Sequence, residues 1–391
     1  MKIAIYCQHV LGLGHFFRTL EIADALAPDT VLLITGGKPF EVAHKDHIKP
    51  VVLPGIMMDE QFSSLYSVDP ERSLDTVKQE RTKILTDLLL NEKPDLFLIE
   101  LYPFGRRAFR FELEPAVNAI QQHQVPCKVV CSIRDILVEK SDVEKYENRV
   151  IKALNRHFDA VLVHSDPRLI RLDTTFSRLD EIAPPVTYTG FITPMPEKDK
   201  VTTFLEQYKP TGREKIVVVS IGSGSVGAPL LISVARSYEY LEQIENLRIL
   251  MFTGPYMDEA DIETLKDITL DKPVHVERFC EDFVSLIKAA DLSVSMAGYN
   301  TCMNLVAAGT PSLVWPFDQN REQRMRAEEL GRFARIRILE AADLEPERMA
   351  ARIDSYLGKT EDAVHQAPGS SPLNIDGAVR TAGSIKDLAA K

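Results

Sequence analysis

The fold class of this chain is decided between Asp291 and Ala327, where the sequence reads D-L-S-V-S-M-A-G-Y-N-T-C-M-N-L-V-A-A-G-T-P-S-L-V-W-P-F-D-Q-N-R-E-Q-R-M-R-A. Leu292 to Ser295 predict a short buried strand, and Gly298 predicts a turn. Asn300 or Thr301 is expected to cap the helix that follows. The stretch therefore begins as a strand, a tight turn and a helix.

The rest of the stretch predicts a second strand and a ligand-binding loop. Gly309 to Pro311 end the helix, Ser312 to Trp315 form an apolar strand, and Pro316 to Arg324 form a polar loop. In an open α/β sheet, ligands bind at the carboxyl ends of the strands. Small residues at Ala297 and Gly298 let a ligand approach the backbone, and the free N–H groups of the helix start favour a diphosphate. An ordinary crossover with a capped helix is the alternative.

The same stretch resembles a known family. The pattern G-Y-N-T-x-x-x-x-x-x-A-G-T-P, followed by an apolar strand, P-F and E-Q, is similar to the donor-binding segment of GT-B glycosyltransferases. It is most similar to the branch that contains the peptidoglycan UDP-N-acetylglucosamine transferase and related predicted bacterial glycosyltransferases. The resemblance implies diphosphate contacts at the turn and helix start and sugar contacts in the loop. The residues carried over are Gly298, Asn300 and Thr301 for the diphosphate, and Glu322 and Gln323 for the sugar. Tyr299, within the same motif, is also expected to belong to the donor site.

One position departs from that family. The residue that meets the ribose is usually Glu, and this chain has Asn304 there. An amide still hydrogen-bonds a hydroxyl, but a contact without charge is weaker. Because of Asn304, the resemblance does not define which nucleotide the chain prefers.

Composition predicts a folded two-domain protein. The chain has 391 residues, of which 45% are apolar and 26% charged, with a net charge of −11. A nucleic-acid binder would normally show a basic balance, so nucleic acid is not an expected partner. No apolar run has the length of a signal peptide core or a membrane span, and we expect a cytoplasmic protein.

Metal and cofactor signatures are missing from the sequence. The five cysteines are scattered without a second pair to complete a zinc site, which indicates buried free thiols. No D-x-D triplet occurs, although this triplet binds the metal in the other main glycosyltransferase fold. We therefore expect a reaction without metal or cofactor.

A glycine turn near the N-terminus supplies a candidate base. Lys2 to Gln8 predict a strand, and G-L-G-H follows from Gly12 through Gly14 to His15. The turn is a poor dinucleotide fingerprint, because the third glycine and the acidic partner are missing. In GT-B proteins a similar turn contacts the acceptor, and the resemblance points to His15 as the base that deprotonates it. From the residue alone, a hydrogen bond at a helix start is the alternative.

Polar residues also follow two later strands of the first half. Glu100 ends an apolar strand at the edge where ligands bind, and it is expected to orient His15 or contact the acceptor, with a structural partner as the alternative. Arg106 belongs to an E-x-x-P-F-G-R-R run that resembles the same transferases. Arg106, Arg107 and Arg110 are expected to bind a phosphate on a lipid-linked or phosphorylated acceptor, with a solvated basic face as the alternative. Arg134 and Asp135 follow the next strand and are read as an ion pair or as acceptor contacts.

A second glycine-rich loop opens the second half of the chain. Ile216 to Ser220 predict a strand, and the loop that follows combines free N–H groups with hydroxyls that can bind phosphate oxygens. A flexible hinge of the same composition is the alternative. The donor residues predicted in the loop are Gly222, Ser223, Gly224 and Ser225. Phe279 and Cys280 resemble the family position that contacts the donor base, and Phe279 is otherwise a core residue.

We therefore predict the GT-B architecture, with two Rossmann-like doubly wound domains facing across a cleft. Residues 1–192 form the acceptor domain, 193–214 a linker region and 215–371 the donor domain. Residues 372–391 form a terminal helix that crosses back to the first domain. The first boundary depends on a composition shift with two X-Pro steps in a charged segment.

The predicted function is an inverting, metal-independent transfer of a sugar from a nucleotide donor, UDP-linked by resemblance, to a hydroxyl acceptor. A UDP-sugar 2-epimerase of similar fold and a non-catalytic nucleotide-sugar-binding subunit are the alternatives. Peripheral membrane contact through Phe104 to Phe111 is compatible with the sequence. The sequence does not identify the acceptor, the sugar or the oligomeric state.

Overall fold

The structure is a computed structural model that describes residues 1–8, 14–38, 42–59, 64–137, 141–317, 321–357 and 373–390. The chain divides into two compact units. One consists of Met1–Ile192 with Asn374–Lys391, and the other of Thr193–Leu373.

The first unit is built on a parallel seven-stranded sheet with the order β3-β2-β1-β6-β7-β8-β9. A separate antiparallel pair is formed by β4 and β5. The strands of this unit are β1 (Lys2–Tyr6), β2 (Thr30–Thr35), β3 (Ile48–Val52), β4 (Ile56–Met58), β5 (Leu65–Ser67), β6 (Leu96–Glu100), β7 (Lys128–Arg134), β8 (Ala160–His164) and β9 (Val186–Tyr188).

Helices cover both faces of this sheet. They are α1 (Gly14–Ala25), α2 (Leu74–Glu92), α3 (Arg110–Gln122) and α4 (Val143–His157). Alternate residues of β1 point to opposite faces, so Ile3 and Ile5 join the core under α1, whereas Ala4 and Tyr6 join the core under α2, α3 and α4. Because both faces are buried, the strands read as nearly continuous apolar runs.

The second unit repeats this plan with six parallel strands in the order β12-β11-β10-β13-β14-β15. The strands are β10 (Lys215–Ser220), β11 (Leu247–Phe252), β12 (Val274–Glu277), β13 (Leu292–Met296), β14 (Ser312–Trp315) and β15 (Ile336–Ile338). The helices are α5 (Lys198–Tyr208), α6 (Ala228–Ser237), α7 (Glu259–Thr269), α8 (Phe283–Ala289), α9 (Tyr299–Ala308), α10 (Arg321–Leu330) and α11 (Pro346–Leu357).

Each sheet has one point at which the strand order reverses. It lies between β1 and β6 in the first unit and between β10 and β13 in the second. In doubly wound sheets, the crevice outside the carboxyl ends of the strands at this point binds ligands. The topology therefore directs attention to the residues that follow β1, β6, β10 and β13.

The segment predicted as a linker is part of the second unit. Residues 193–214 contain α5, which is attached to α8 and β13 by polar contacts. The N–H of Glu197 donates to Oγ of Ser285 at 3.0 Å, Lys200 pairs with Asp282, and Lys209 pairs with Asp291. The charged composition predicts a linker, but these charged residues attach the surface helix α5 to the rest of the second unit.

The last helix, α12 (Gly377–Ala389), belongs to the first unit and packs on α1. Asn374 anchors its start, because its carbonyl accepts from the N–H of Phe191 at 2.8 Å and its own N–H donates to Asp166 at 3.0 Å. Ile385 is buried in the α1 core. The chain therefore passes from the first unit to the second and back again.

Among the described residues, no helix combines the length and apolarity needed to cross a membrane.

Candidate functional site

The switch point of the first sheet brings together His15 and Glu100. His15 lies in the first turn of α1, which follows β1, and Glu100 is the last residue of β6, which pairs with β1. Nδ1 of His15 lies 2.6 Å from Oε1 of Glu100. The His15 side chain is 23% exposed, but the Glu100 side chain is only 2% exposed. A buried carboxylate therefore holds the imidazole at the edge of the sheet.

This contact defines the tautomer of His15. An ionised carboxylate only accepts hydrogen bonds, so the proton of the neutral ring is on Nδ1 and the lone pair is on Nε2. Burial, opposed by Glu100 and aided by Arg106 and Arg18, lowers the pKa of His15 to about 4. The ring is therefore neutral at pH 7, with Nε2 able to accept a proton.

Arg18, which was missed in the sequence, completes the cluster. Its Nη2 donates to Oε1 of Glu100 at 2.6 Å and also lies 3.1 Å from Nδ1 of His15. Because Nδ1 already carries the ring proton, the acceptor for Arg18 is Glu100. Residues three apart on a helix share a face, and this spacing from His15 was the available signal.

Arg106 approaches Glu100 from the other side. Its Nη2 lies 3.6 Å from Oε2 of Glu100, and its side chain is only 9% exposed. Among the described residues, no hydrogen-bond partner is found for Nε and Nη2 of Arg106 or for Oε2 of Glu100. Buried polar atoms are normally satisfied, so these atoms are suited to receive a ligand or water.

Charge at this cluster is unbalanced. Arg18 and Arg106 contribute two positive charges against one carboxylate, with His15 neutral. Burial by itself would raise the pKa of Glu100, but His15, Arg106 and Arg18 outweigh it and hold the pKa well below its usual range. The carboxylate stays ionised, and one excess positive charge remains beside the imidazole.

A buried polar network, also missed in the sequence, continues along the same edge. Oγ of Ser132, the register partner of Glu100, lies 2.6 Å from Nε2 of His164. Nδ1 of His164 lies 2.9 Å from Oγ1 of Thr189, which accepts from Thr381 of α12 at 2.9 Å. Burial lowers the pKa of His164 to about 3, so this ring stays neutral and serves to connect β7, β8, β9 and α12.

The other predicted acceptor residues are less informative. Arg134, half-buried, ends β7, and Asp135 is fully buried and accepts from the N–H of Ile136 at 2.8 Å. Gly14 is the exposed first residue of α1. Gly12 lies outside the described residues.

The glycine loop after β10 needs its glycines for backbone reasons. Gly222, Gly224 and Gly227 have φ of +70°, +92° and +104°, which is the left-handed region that favours glycine. At Gly224 an added Cβ would lie 2.4 Å from the carbonyl oxygen of Thr253. Ser223 is half-buried and Ser225 exposed. The loop is thus a tight turn that presents Ser225 to solvent.

The turn after β13, in contrast, does not need glycine for its backbone conformation. Gly298 has an ordinary extended φ of −64°, and an added Cβ would meet nothing within 4 Å. Neither the backbone nor the packing requires glycine there. Open space over a bare backbone is what the close approach of a ligand would require.

Two helices begin uncapped at this switch point. The N-cap of α6 is Gly227 and that of α9 is Gly298, and neither supplies a side-chain cap. The predicted cap at Asn300 or Thr301 is wrong, because α9 already begins at Tyr299. Side chains of Ser73, Asp142 and Asp258 cap α2, α4 and α7, whereas α3, α5, α8 and α12 also begin without a side-chain cap. What distinguishes α6 and α9 is their place at the switch point of the sheet.

The uncapped starts of α6 and α9 follow neighbouring strands, since β10 pairs directly with β13. Each helix start carries roughly half a positive charge. Below them the hydroxyls of the register partners Ser220 and Ser295 are buried and have no hydrogen-bond partner among the described residues. Backbone donors, open space and fractional positive charge together favour an anion.

Other predicted donor residues lie around this turn. Asn304 is half-buried on α9, and its Oδ1 accepts from Oγ1 of Thr193 at 2.9 Å. Tyr299 is buried, with its ring 5.4 Å from the guanidinium carbon of Arg326. Phe279 is 54% exposed, which removes the core alternative. Burial raises the pKa of Cys280 to about 11, so it is a thiol at pH 7.

The pair Glu322 and Gln323 is helical and not part of a loop as predicted. Both lie in the first turn of α10, which starts at Arg321. Oε1 of Gln323 accepts from the N–H of Phe317 at 3.0 Å and so attaches α10 to the segment after β14. The polar composition was read as a loop, but exposed helical turns are equally polar.

Among the described residues, no group of three or more His, Cys, Asp or Glu side chains has the arrangement of a metal site.

Comparison with known families identifies the second unit. Residues 218–375 match the model of the glycosyltransferase family 28 C-terminal domain. This range begins in β10 and includes both glycine turns.

Curated relatives match over part of the chain. A UDP-N-acetylglucosamine--N-acetylmuramyl-(pentapeptide) pyrophosphoryl-undecaprenol N-acetylglucosamine transferase of Synechococcus sp. is 32% identical over 141 residues, which is 36% of this chain and 34% of the relative. A protein of the same name from Thermoanaerobacter sp. is 28% identical over 149 residues, 37% of this chain and 40% of the relative. The matched part thus spans well under half the length of these relatives.

Solved structures match over the whole chain. MurG of Acinetobacter baumannii aligns with a TM-score of 0.56 and 17% identity over 99% of this chain and 100% of that one. A UDP-glucosyltransferase of Polygonum tinctorium aligns with a TM-score of 0.59 and 14% identity over 100% and 98%.

The fold and the switch-point turns therefore define a protein of the GT-B class, and the predicted pair of Rossmann-like units is confirmed. More narrowly, residues 218–375 are similar to the glycosyltransferase family 28 C-terminal domain, and part of the chain is similar to the peptidoglycan N-acetylglucosamine transferases.

Proposed function

We propose that this chain transfers a sugar from a UDP-linked donor to a hydroxyl acceptor with inversion and without a metal ion, in the cytoplasm. The observation that carries the proposal is the pair of uncapped helix starts at Gly227 and Gly298, on neighbouring strands of a family 28 domain. Backbone N–H groups at such starts stabilise the charge of a departing diphosphate, and they do so without a cation.

The chemical step needs one base. In this proposal Nε2 of His15 accepts the acceptor's hydroxyl proton while the oxygen attacks the anomeric carbon and the nucleoside diphosphate leaves. A single displacement of this kind inverts the anomeric centre. Glu100 holds the Nδ1 proton and stabilises the imidazolium that forms, as a carboxylate partner does in other His-based catalysts.

The proposed acceptor is anionic near its reacting hydroxyl. The excess charge of Arg18 and Arg106, together with the unsatisfied buried atoms of Arg106, supports a phosphate or carboxylate there. The curated relatives carry a pyrophosphoryl lipid in the name of their acceptor, so a lipid-linked phosphate and membrane contact belong to the same proposal.

Calorimetric titration with UDP, GDP, TDP and ADP tests the donor site first. We expect selective binding of UDP, and its loss in Gly298→Trp, because the indole would fill the open space over the turn. Gly383→Trp is the matched control, since Gly383 is also open and lies on α12 of the other unit.

The outcomes separate the candidate functions. Binding of no nucleotide, or equal binding by the Gly298→Trp variant, would overturn the donor site. If UDP binds, a panel of UDP-sugars without acceptor follows, with sugar products analysed by mass and NMR. Conversion of the donor to its C2 epimer, either still linked to UDP or as a free sugar with release of UDP, would indicate an epimerase and contradict transfer.

A further inference from the structure

The first unit has a second charged region, on the opposite face of its sheet from His15 and Glu100. The helix α1, which carries His15, packs on the core that contains Ile3 and Ile5. The helices α3 and α4 pack on the other core, which contains Tyr6 and Tyr102. A ligand held between α3 and α4 is therefore separated from the proposed base by the sheet itself.

A cavity of about 430 Å³ lies between these two helices. This volume is in the range of small-molecule sites. Positions 149, 152 and 156 recur with helical spacing along one face of α4, and positions 107, 110 and 114 provide the facing row. The charged side chains that line the cavity are Arg107, Arg110, Arg149, Lys152, Arg156 and Glu114.

The charges in this cavity are unbalanced. Five cations face one carboxylate, a net formal charge of +4 in a chain whose total is −11. Glu114 is shared between Arg110, at 3.4 Å, and the hydroxyl of Tyr102, at 3.3 Å. Arg107, Arg149, Lys152 and Arg156 form no ion pair with any described residue.

Some exposed arginines of this unit pair with acids close in the sequence. Arg168 pairs with Asp166, Arg171 with Asp173, and Arg178 with Glu181. In the cavity, by contrast, several cations without such a partner converge on one concave surface. This convergence favours a ligand that supplies negative charge.

Arg149 shows that the cations of this cavity repel one another. It is half-buried, with its guanidinium 5.5 Å from the ring centre of Tyr146. Burial and the neighbouring Arg107 and Arg110 lower the pKa of Arg149. Like charges converge on a concave site, and an anion between them would relieve the repulsion.

We propose that the cavity between α3 and α4 is a phosphate-binding site, separate from the catalytic centre, for a ligand with one or more phosphate groups. Guanidinium groups match phosphate oxygens with paired hydrogen bonds, and Lys152 adds a point charge. The phosphate belongs either to a soluble metabolite or to a lipid headgroup, and both sources present the same chemistry.

The test uses inorganic pyrophosphate in calorimetry and sedimentation with vesicles of phosphatidylcholine with or without phosphatidylglycerol. All proteins carry Gly298→Trp, so that the proposed donor turn does not contribute. The cavity variant is Lys152→Gln with Arg156→Gln, two exposed residues whose loss leaves the core intact. The control is Lys49→Gln with Lys83→Gln, an equal charge change at exposed positions elsewhere in this unit.

Two results support the proposal. Pyrophosphate binding weakened about tenfold or more by the cavity variant, but not by the control, indicates a soluble ligand. Selective loss of sedimentation with anionic vesicles in the cavity variant indicates a lipid headgroup. Absence of both forms of binding, or equal loss in the two variants, would overturn the proposal. These readouts need no turnover, so they remain decisive even if sugar transfer fails.

Discussion

At His15 the protein keeps an imidazole neutral beside two arginines and a carboxylate. Glu100 favours the imidazolium, whereas burial, Arg106 and Arg18 disfavour it, and the pKa falls to about 4. The balance leaves the lone pair of Nε2 free at pH 7. Glu100 therefore contributes mainly when the ring accepts a proton during the proposed reaction, because the carboxylate stabilises the imidazolium.

Replacing His15 by Ala should reduce kcat by about 10²–10⁴ and leave UDP affinity unchanged, because general base catalysis contributes about that factor. His123→Ala is the matched control, since His123 is an exposed histidine of the same unit. Steady-state turnover and calorimetry on both variants check this. Turnover by His15→Ala at the wild-type rate would remove His15 as the base.

At the level of elements, two glycine turns follow neighbouring strands but are built differently. Gly224 is required by its own backbone and by the oxygen of Thr253, whereas no described residue would contact a Cβ at position 298. The turn at Gly224 therefore depends on glycine for its backbone conformation, whereas the turn at Gly298 has open space around it.

We expect Gly224→Ala to affect mainly stability and Gly298→Ala to affect mainly UDP binding. Gly224→Ala should lower the free energy of unfolding by about 2–4 kcal/mol, from left-handed strain and overlap with Thr253. Gly298→Ala should change it by about 1 kcal/mol or less but weaken UDP binding. Urea unfolding and calorimetry measure both quantities. Unchanged UDP affinity in Gly298→Ala would show that Gly298 does not touch the donor.

At the level of the whole molecule, the two ends of the chain meet in one unit. Helix α12 contributes Ile385 to the α1 core and Thr381 to the network of His164. Although the second unit intervenes in sequence, the first unit is complete only with residues 374–391.

Truncation after Leu373 should destabilise the first unit selectively. It removes Thr381, one of the partners of Thr189, and uncovers the apolar residues under α12, such as Ile192. Hydrogen exchange should then rise in α1 and β8 but stay unchanged in β13 and α9 of the second unit. Equal protection of α1 with and without the truncation would contradict a stabilising role of α12.

Much of the architecture follows from local sequence. The strand Ser312–Trp315 was predicted with its observed bounds, and the strands predicted from Ile216 to Ser220 and from Leu292 to Ser295 each differ from the observed strand by one residue. Short apolar runs between polar turns have few other stable states. Errors arose where polar composition is ambiguous. Residues 193–214 contain the docked helix α5, and residues 321–330 form α10, since exposed helices and loops are both polar.

The sequence by itself determined two doubly wound units, the two glycine turns and the candidates His15 and Glu100, because these depend on local patterns and a family motif. Only the tertiary structure decided which side chains meet. The cluster of Arg18 with Glu100, the network of His164 with Thr381 and the basic cavity between α3 and α4 join residues distant in sequence. Strand order and helix packing create those contacts, and no local pattern in the chain encodes them.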